Sequence, residues 1–341
     1  MSVAEPEQRA PAPAAPRNGR AAAWRVGVLA SPAFPVYGAL AGVFLLAWLI
    51  VTIDGGDFLT VDNVVNMLQR SVALGIVSAG QTIVILAGSL DLSVAQLISL
   101  SSLLGAETMD GSDANLVPAI ALVLAFGAGV GLANGLVITK LRVNAFIATL
   151  GMALILRGII QYQWDGPGGA VSSSWESFGY TRFGAIPMSL FLLAAVVALV
   201  WFLLRSTRFG YHVYAVGGDE DVSKLSGLRT HRTIVAAHVL CSVAAAITGL
   251  FLASRLGSGT PTVGTDGGYD LESIAAVVLG GTALMGGRGG VLGTLGGVFI
   301  LAVLDNTFNQ LEVNAFLKDV VRGVIIIAAV ALYARRAVRQ A

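Results

Sequence analysis

The chain has 341 residues, 55% hydrophobic and only 12% charged, with a net charge of +1 and a mean hydropathy of +0.79. A soluble domain carries about twice that share of charge, so the composition excludes an ordinary soluble enzyme and points to an all-α, polytopic membrane protein. The near-zero net charge gives no sign of a nucleic-acid partner.

The first 32 residues, rich in Ala, Pro and Arg, hold no apolar run long enough to span a bilayer and read as a disordered cytoplasmic tail. A membrane-crossing helix needs roughly 20 apolar residues. About ten spans follow, at 33–53, 72–90, 93–109, 116–139, 144–163, 187–204, 234–254, 271–285, 289–305 and 319–334, inside a transmembrane domain of residues 33–335. Residues 336–341 form a short second tail. With both termini in the cytoplasm, 15 of the 21 basic residues fall on inner segments, as the positive-inside rule requires. The 42 glycines suit helices that meet backbone to backbone in lipid.

From Val72 to Met109 the only charges are Asp91 and Glu107. Asp91, between Ser89 and Ser93, marks a helix break. It reads either as a cap at the membrane surface or as a polar hinge at the inner mouth of a pathway. The stretch from Trp164 to Pro187 is the largest outward loop.

The most charged internal segment, residues 205–233, hangs between two apolar runs on the cytoplasmic side. Gly217 and Gly218 are expected to break one helix. Asp219, Glu220 and Asp221 then place negative charge at the start of another, where the helix dipole favours it. Val222 and Leu225 give this short helix an apolar edge, and Ser226-Gly227 supplies its C-cap. The segment is either a docking lever for a soluble partner or a solvated surface helix.

Several chemistries are closed off. The single Cys241 permits no intramolecular disulfide, and the histidines (His212, His231, His238) form no HExxH pair. None of Lys140, Lys224 and Lys318 follows a glycine, so there is no phosphate-cradling P-loop. No catalytic residue, metal ligand or cofactor is expected, and a membrane enzyme finds no convergent acid, base and nucleophile.

Four segments, in order, resemble one family: GQTIVILAGSLDLS (80–93), NAFIATLG (144–151) with Arg157-Gly158, YAVGGDEDVSKLSGL (214–228), and IAAVVLGGT (274–282) with GGRGGVLG (286–293). They are similar to the permease subunits of bacterial ATP-binding-cassette importers for ribose, xylose, arabinose, galactosides and related solutes. This chain departs from the family pattern at Ser89 and Ala95 (glycines there), at Asn144-Ala145 (Pro-Pro), at Asp219 (Asn) and at Val222-Ser223 (Ala-Ala).

The resemblance implies a non-enzymatic permease that works as a pair, either a homodimer or two close paralogues. A separate ATP-binding cassette ATPase subunit would dock at Gly217, Gly218, Asp219, Glu220, Val222, Leu225, Ser226 and Gly227. An extracytoplasmic sugar-binding protein would deliver a monosaccharide from outside. Polar residues within spans, namely Gln81, Asp91, Asn134, Thr149 and Asn306, are candidates for the substrate pathway, each alternatively an interhelix hydrogen-bonding group. Thr82 and Asn309 share that pattern. A nucleoside, a polyol or an autoinducer-like furanosyl solute fits the family equally. An ion-coupled secondary transporter, the reading from another class, would need deep titratable groups, and His238 and Asp305 are the main ones here.

Overall fold

The computed structural model describes residues 34–314, with 316–318, 320–321 and 323–324 beyond them. The expected tails 1–32 and 336–341 and most of the expected span 319–334 lie outside the described residues. Elsewhere the chain is helical: α1 (Phe34–Ile53), α2 (Val61–Leu86), α3 (Val94–Met109), α4 (Leu116–Lys140), α5 (Ala145–Gln163), α6 (Ser173–Tyr180), α7 (Met188–Ser206), α8 (Arg208–Gly218), α9 (Glu220–Leu225), α10 (Thr230–Leu256), α11 (Val263–Asp266), α12 (Tyr269–Leu279) and α13 (Val291–Gln310). A two-stranded hairpin, β1 (Arg182–Phe183) and β2 (Ile186–Pro187), pairs antiparallel between α6 and α7.

Among the described residues seven helices are long and apolar enough to cross a membrane: α1, α2, α4 with the turn before it, α5, α7, α10 and α13. Two of the expected spans take another form. The helix at 93–109 has 16 residues and that at 271–285 only 11. At 1.5 Å per residue these are about 24 Å and 16 Å long, short of the roughly 30 Å hydrocarbon core. The last part of 271–285 is a glycine turn, with Gly281 and Gly286 at φ of 81° and 90°. Conversely, α2 begins eleven residues before the expected 72, where Thr60 Oγ1 accepts from the Asn63 N–H at 3.2 Å.

The two short helices are completed by buried non-helical backbone. After α2 the chain turns at Gly88 (φ 77°) and residues 89–93 run back into the bundle before α3 starts. After α10 it turns at Gly257 (φ 73°), and residues 259–264 run antiparallel beside α3. There the Thr260 N–H donates to Ser102 Oγ (3.1 Å) and the Gly264 N–H to Ser99 Oγ (2.9 Å). Such irregular backbone is tolerated at membrane depth only when protein groups satisfy it. The two units, α2–α3–α4 and α10–α12–α13, repeat the same plan in opposite directions. The last helix of each packs on the first helix of the other, α4 on α10 and α13 on α2.

The core is shared by α2, α3 and α10. Every residue of α2 from Ser71 to Leu86 is buried, whereas α1 buries only Val36, Ala47 and Val51, with Leu40, Val43 and Phe44 partly covered beside them. Helix α4 approaches α10 through Gly127, Gly131 and Gly135. A Cβ on Gly131 would stand 2.6 Å from the Val239 Cα, and one on Gly135 2.6 Å from the Val235 Cα. Dispersion and close approach, not hydrophobicity, drive helix association in lipid, and this small-residue stripe is that device. The loop 164–187 is tied down: Trp175 Nε1–H donates to Leu250 O (2.9 Å) and Arg255 Nη1–H to Gly179 O (2.9 Å).

Candidate functional site

One end of the bundle gathers residues 87–89, 138–139, 142–145, 216–221, 228–231 and Met285 around a cavity of about 1170 Å³. The lever lies along its rim. Helix α8 is capped by Thr207, whose Oγ1 accepts from the Gly210 N–H at 3.3 Å. It does not break at Gly217-Gly218, as the sequence suggested; both residues form its last turn. The break falls at Asp219, which is extended (φ −164°), and its Oδ1 accepts from the Val222 N–H (2.9 Å) to cap α9.

At its other end α9 closes in a Schellman motif. Gly227 (φ 81°) donates its N–H to Lys224 O at 2.9 Å and Leu228 to Ser223 O at 3.0 Å. Lys224 Nζ reaches Glu220 (3.0 Å) and Asp221 (3.3 Å), and the hydrogen bond to Glu220, first, pushes the ammonium above its ordinary pKa. A six-residue helix is marginal alone, yet here both ends and one face are satisfied locally. Ser223 faces inward, while Val222 is 58% and Leu225 89% exposed. The expected apolar edge exists, and it points away from the protein's own core.

The lever is joined to the bundle by glycine backbone. A Cβ on Gly217 would collide with the carbonyl of Leu86, the last residue of α2. That same carbonyl accepts the Gly287 N–H at 3.0 Å. A Cβ on Gly286 would meet Gly217 O at 2.7 Å, and one on Gly287 would meet Gly218 Cα at 2.8 Å. Three segments therefore meet without side chains between them: the end of α8, the turn after α2 and the turn before α13. The first of those turns opens the break of the first unit, and the second joins α12 to α13 in the other unit. Met285, 87% exposed, projects from the second turn beside the same cavity.

Behind the junction sits a buried polar cluster. Asp91 is fully buried inside the protein. Its Oδ1 accepts from the Ser93 N–H (2.9 Å) and Ser93 O–H (2.5 Å), and Asn134 Nδ2–H approaches Oδ2 at 3.4 Å. Asn134 also donates to Ser93 Oγ at 3.0 Å. His238 Nδ1 stands 3.2 Å from Asp91 Oδ2, and its Nε2 lies 2.9 Å from Ser89 Oγ. With the proton on Nδ1 the ring donates to the carboxylate and accepts from the serine, so every polar atom of the pair is satisfied. Thr149 Oγ1 accepts from the Leu92 N–H (3.2 Å), and Gln81 Oε1 takes the Cys241 thiol (3.2 Å).

Four of the five pathway candidates, Gln81, Asp91, Asn134 and Thr149, are thus interior groups around the α2–α3 break, and none lines the 1170 Å³ cavity. Asn306 is elsewhere. It pairs with Asn63 (2.7 Å) beside a cavity of about 500 Å³ at the opposite end, with Gln69, Arg70, Arg255, Asp266, Glu272 and Asp305 around it. His238 completes the Asp91 cluster, and its sequence signal was a lone imidazole in an apolar run facing a lone carboxylate in another. Among the described residues, no group of three or more His, Cys, Asp or Glu side chains is placed to hold a metal ion.

Residues 63–330 match the family described as branched-chain amino acid transport system, permease component. The chain belongs to that family. The permease is 37% identical to the ribose import permease protein RbsC of Escherichia coli (strain K12) over 82% of this chain and 88% of that protein. To the ribose import permease protein RbsC of Bacillus subtilis (strain 168) it is 39% identical, covering 86% and 91%. To the galactose/methyl galactoside import permease protein MglC of Haemophilus influenzae it is 34% identical, covering 85% and 91%. No solved structure matches the permease. It is a multi-pass membrane protein, and the family is one of transport components, not of enzymes.

Proposed function

We propose that this permease is the membrane-spanning subunit of an ATP-binding-cassette importer for a monosaccharide. A separate ATPase engages the α8–α9 lever, an extracytoplasmic binding protein delivers the solute at the opposite end, and a second permease copy completes the pathway. The carrying observation is the lever's double character. Its outer edge, Val222 and Leu225, is apolar and uncovered, while its base is fused to Leu86, Gly286 and Gly287 by backbone contact.

A displacement of α9 by the ATPase would reach the break after α2 and the α12–α13 turn directly, because no flexible side chain lies between to absorb it. Interiors packed this closely shift between discrete arrangements instead of deforming smoothly. Behind the first break, the Asp91–His238 cluster holds residues 89–93 against α4 and α10. The junction transmits, and the cluster keeps the re-entrant segment in one piece. The choice of monosaccharide rests on the ribose and galactose import permeases to which the chain is similar; a nucleoside, polyol or furanosyl solute is the alternative cargo.

A second reading, an ion-coupled transporter, draws on the buried Asp91–His238 pair, the kind of titratable site such coupling needs. The pair is fully satisfied, and only its partner Ser89 lines the cavity, which favours a structural role. Leu225→Glu decides between the readings. On an 89%-exposed position it leaves folding intact, and it is expected to abolish co-purification of the ATPase and solute uptake together. Full uptake by this variant, or labelling of an Asp221→Cys variant from outside intact cells, refutes the proposal.

A further inference from the structure

A cavity of about 380 Å³ opens where α7 ends, away from the lever's exposed edge and from the Asp91 cluster. Its walls are Trp201, Leu204 and Arg205 of α7, Tyr211 and Tyr214 of α8, and the glycine-bounded start of α13 around Val291 and Leu292. The setting is amphipathic in a defined order. The apolar run of α7 reaches it from the bilayer side, with Trp201, Leu292 and Tyr211 all substantially exposed, and one cation stands at its rim. Trp and Tyr in this arrangement are the side chains that settle at the headgroup level of a membrane.

Among the described residues, Arg205 is the only charged one lining the cavity. Its guanidinium lies 5.9 Å from the Trp201 ring centre, and among the described residues it makes no salt bridge. The Tyr214 hydroxyl is engaged, donating to Gly289 O at 2.9 Å, so that wall is rigid. A cation left without a carboxylate, at the mouth of an apolar slot on the membrane boundary, is complementary to a molecule with one phosphate and an apolar body. The chain's own first 33 residues are a poor occupant, since they carry Arg9, Arg17, Arg20 and Arg25 against Glu5 and Glu7.

We propose that this cavity holds the headgroup of an anionic phospholipid, its phosphate on Arg205 and its glycerol and upper acyl chain against Trp201, Leu204 and Leu292. A free phosphate would use the same guanidinium but would leave the apolar walls uncovered. Because the cavity joins α7, α8 and the start of α13, a bound lipid would brace the lever's root against the second unit.

The test uses the full-length chain in nanodiscs of phosphatidylcholine doped with phosphatidylglycerol, with native mass spectrometry of the released protein. Wild type retains phosphatidylglycerol above its bulk share, and Arg205→Gln lowers that retention about fivefold, the effect of one cation near a charged surface. Trp201→Ala, which keeps the charge, lowers it as well. Arg208→Gln, on an exposed arginine that lines no part of this cavity, leaves it unchanged. Equal retention by Arg205→Gln and wild type overturns the site, and equal loss in Arg208→Gln shows general charge attraction and overturns it too. Displacement of the lipid by inorganic phosphate alone identifies a free-anion site, and higher retention after deleting residues 2–32 identifies the tail as occupant. Either result overturns the lipid assignment. Thermal unfolding in detergent, unchanged in the variants, keeps a folding defect from passing for lost binding.

Discussion

Gly217→Ala and Gly218→Ala differ by one position and should behave oppositely. At Gly217 the added methyl runs into the carbonyl of Leu86, while at Gly218 it meets nothing within 4 Å. Overpacking by a methyl against rigid structure costs about 1–3 kcal/mol. The Gly287 N–H bond to Leu86 O, forced apart at the same time, adds about 1 kcal/mol. Replacing glycine in a helical turn returns about 0.5–1 kcal/mol. The balance for Gly217→Ala is a loss of about 1–3 kcal/mol, concentrated at the junction; for Gly218→Ala it is neutral or slightly favourable. Uptake in cells and ATPase co-purification, measured side by side with membrane abundance, should show Gly217→Ala strongly impaired and Gly218→Ala near wild type. Equal behaviour of the two variants would refute the backbone-contact account of the lever.

Removing Asp91 should destabilise the permease more than its position in a loop suggests. Asp91→Ala strips the partner from His238 and the acceptor from Ser93 and Asn134, and leaving a buried donor unsatisfied costs about 1–3 kcal/mol. Thermal unfolding in detergent measures it, and the double variant with His238→Ala should lose less than the sum of the singles; additive losses would mean that the two side chains do not interact. Gly131→Ala should weaken the α4–α10 contact by about 1–3 kcal/mol, because its Cβ would stand 2.6 Å from the Val239 Cα. Gly129→Ala, with open space around it, is the matched control and should unfold as wild type. Trp175→Phe, keeping the ring and losing the N–H bond to Leu250 O, should free the 164–187 loop by about 1 kcal/mol, seen as faster proteolysis there with the core unaffected.

What the sequence determined by itself were the features set by short-range physics. Apolar runs long enough to cross a bilayer marked α1, α4, α5, α7, α10 and α13, because their hydropathy is a local sum. The ends of α9 were legible too: the acidic run 219–221 marked its start and Ser226-Gly227 its C-cap, each acting on groups within three residues of itself. The first turns of α2 were not, since Asn63, Asn66, Gln69 and Arg70 lower its hydropathy and are explained only by the polar cavity and the Asn306 pair at that end.

Tertiary structure alone decided what Gly217, Asp91 and Asn306 are for. Adjacent glycines look alike in sequence, and only the arrival of Leu86 and Gly287 leaves one of them without room for a side chain. Asp91 read equally as a surface cap until His238, 147 residues on, was found against it in the interior. Neither fact has a local signature, because a collision or a buried pair depends on which distant backbone comes to lie there. The same holds for the two short helices: their length is read from the chain, but the backbone that completes each crossing is satisfied by residues far along it, Thr149 for Leu92 and Ser102 and Ser99 for Thr260 and Gly264.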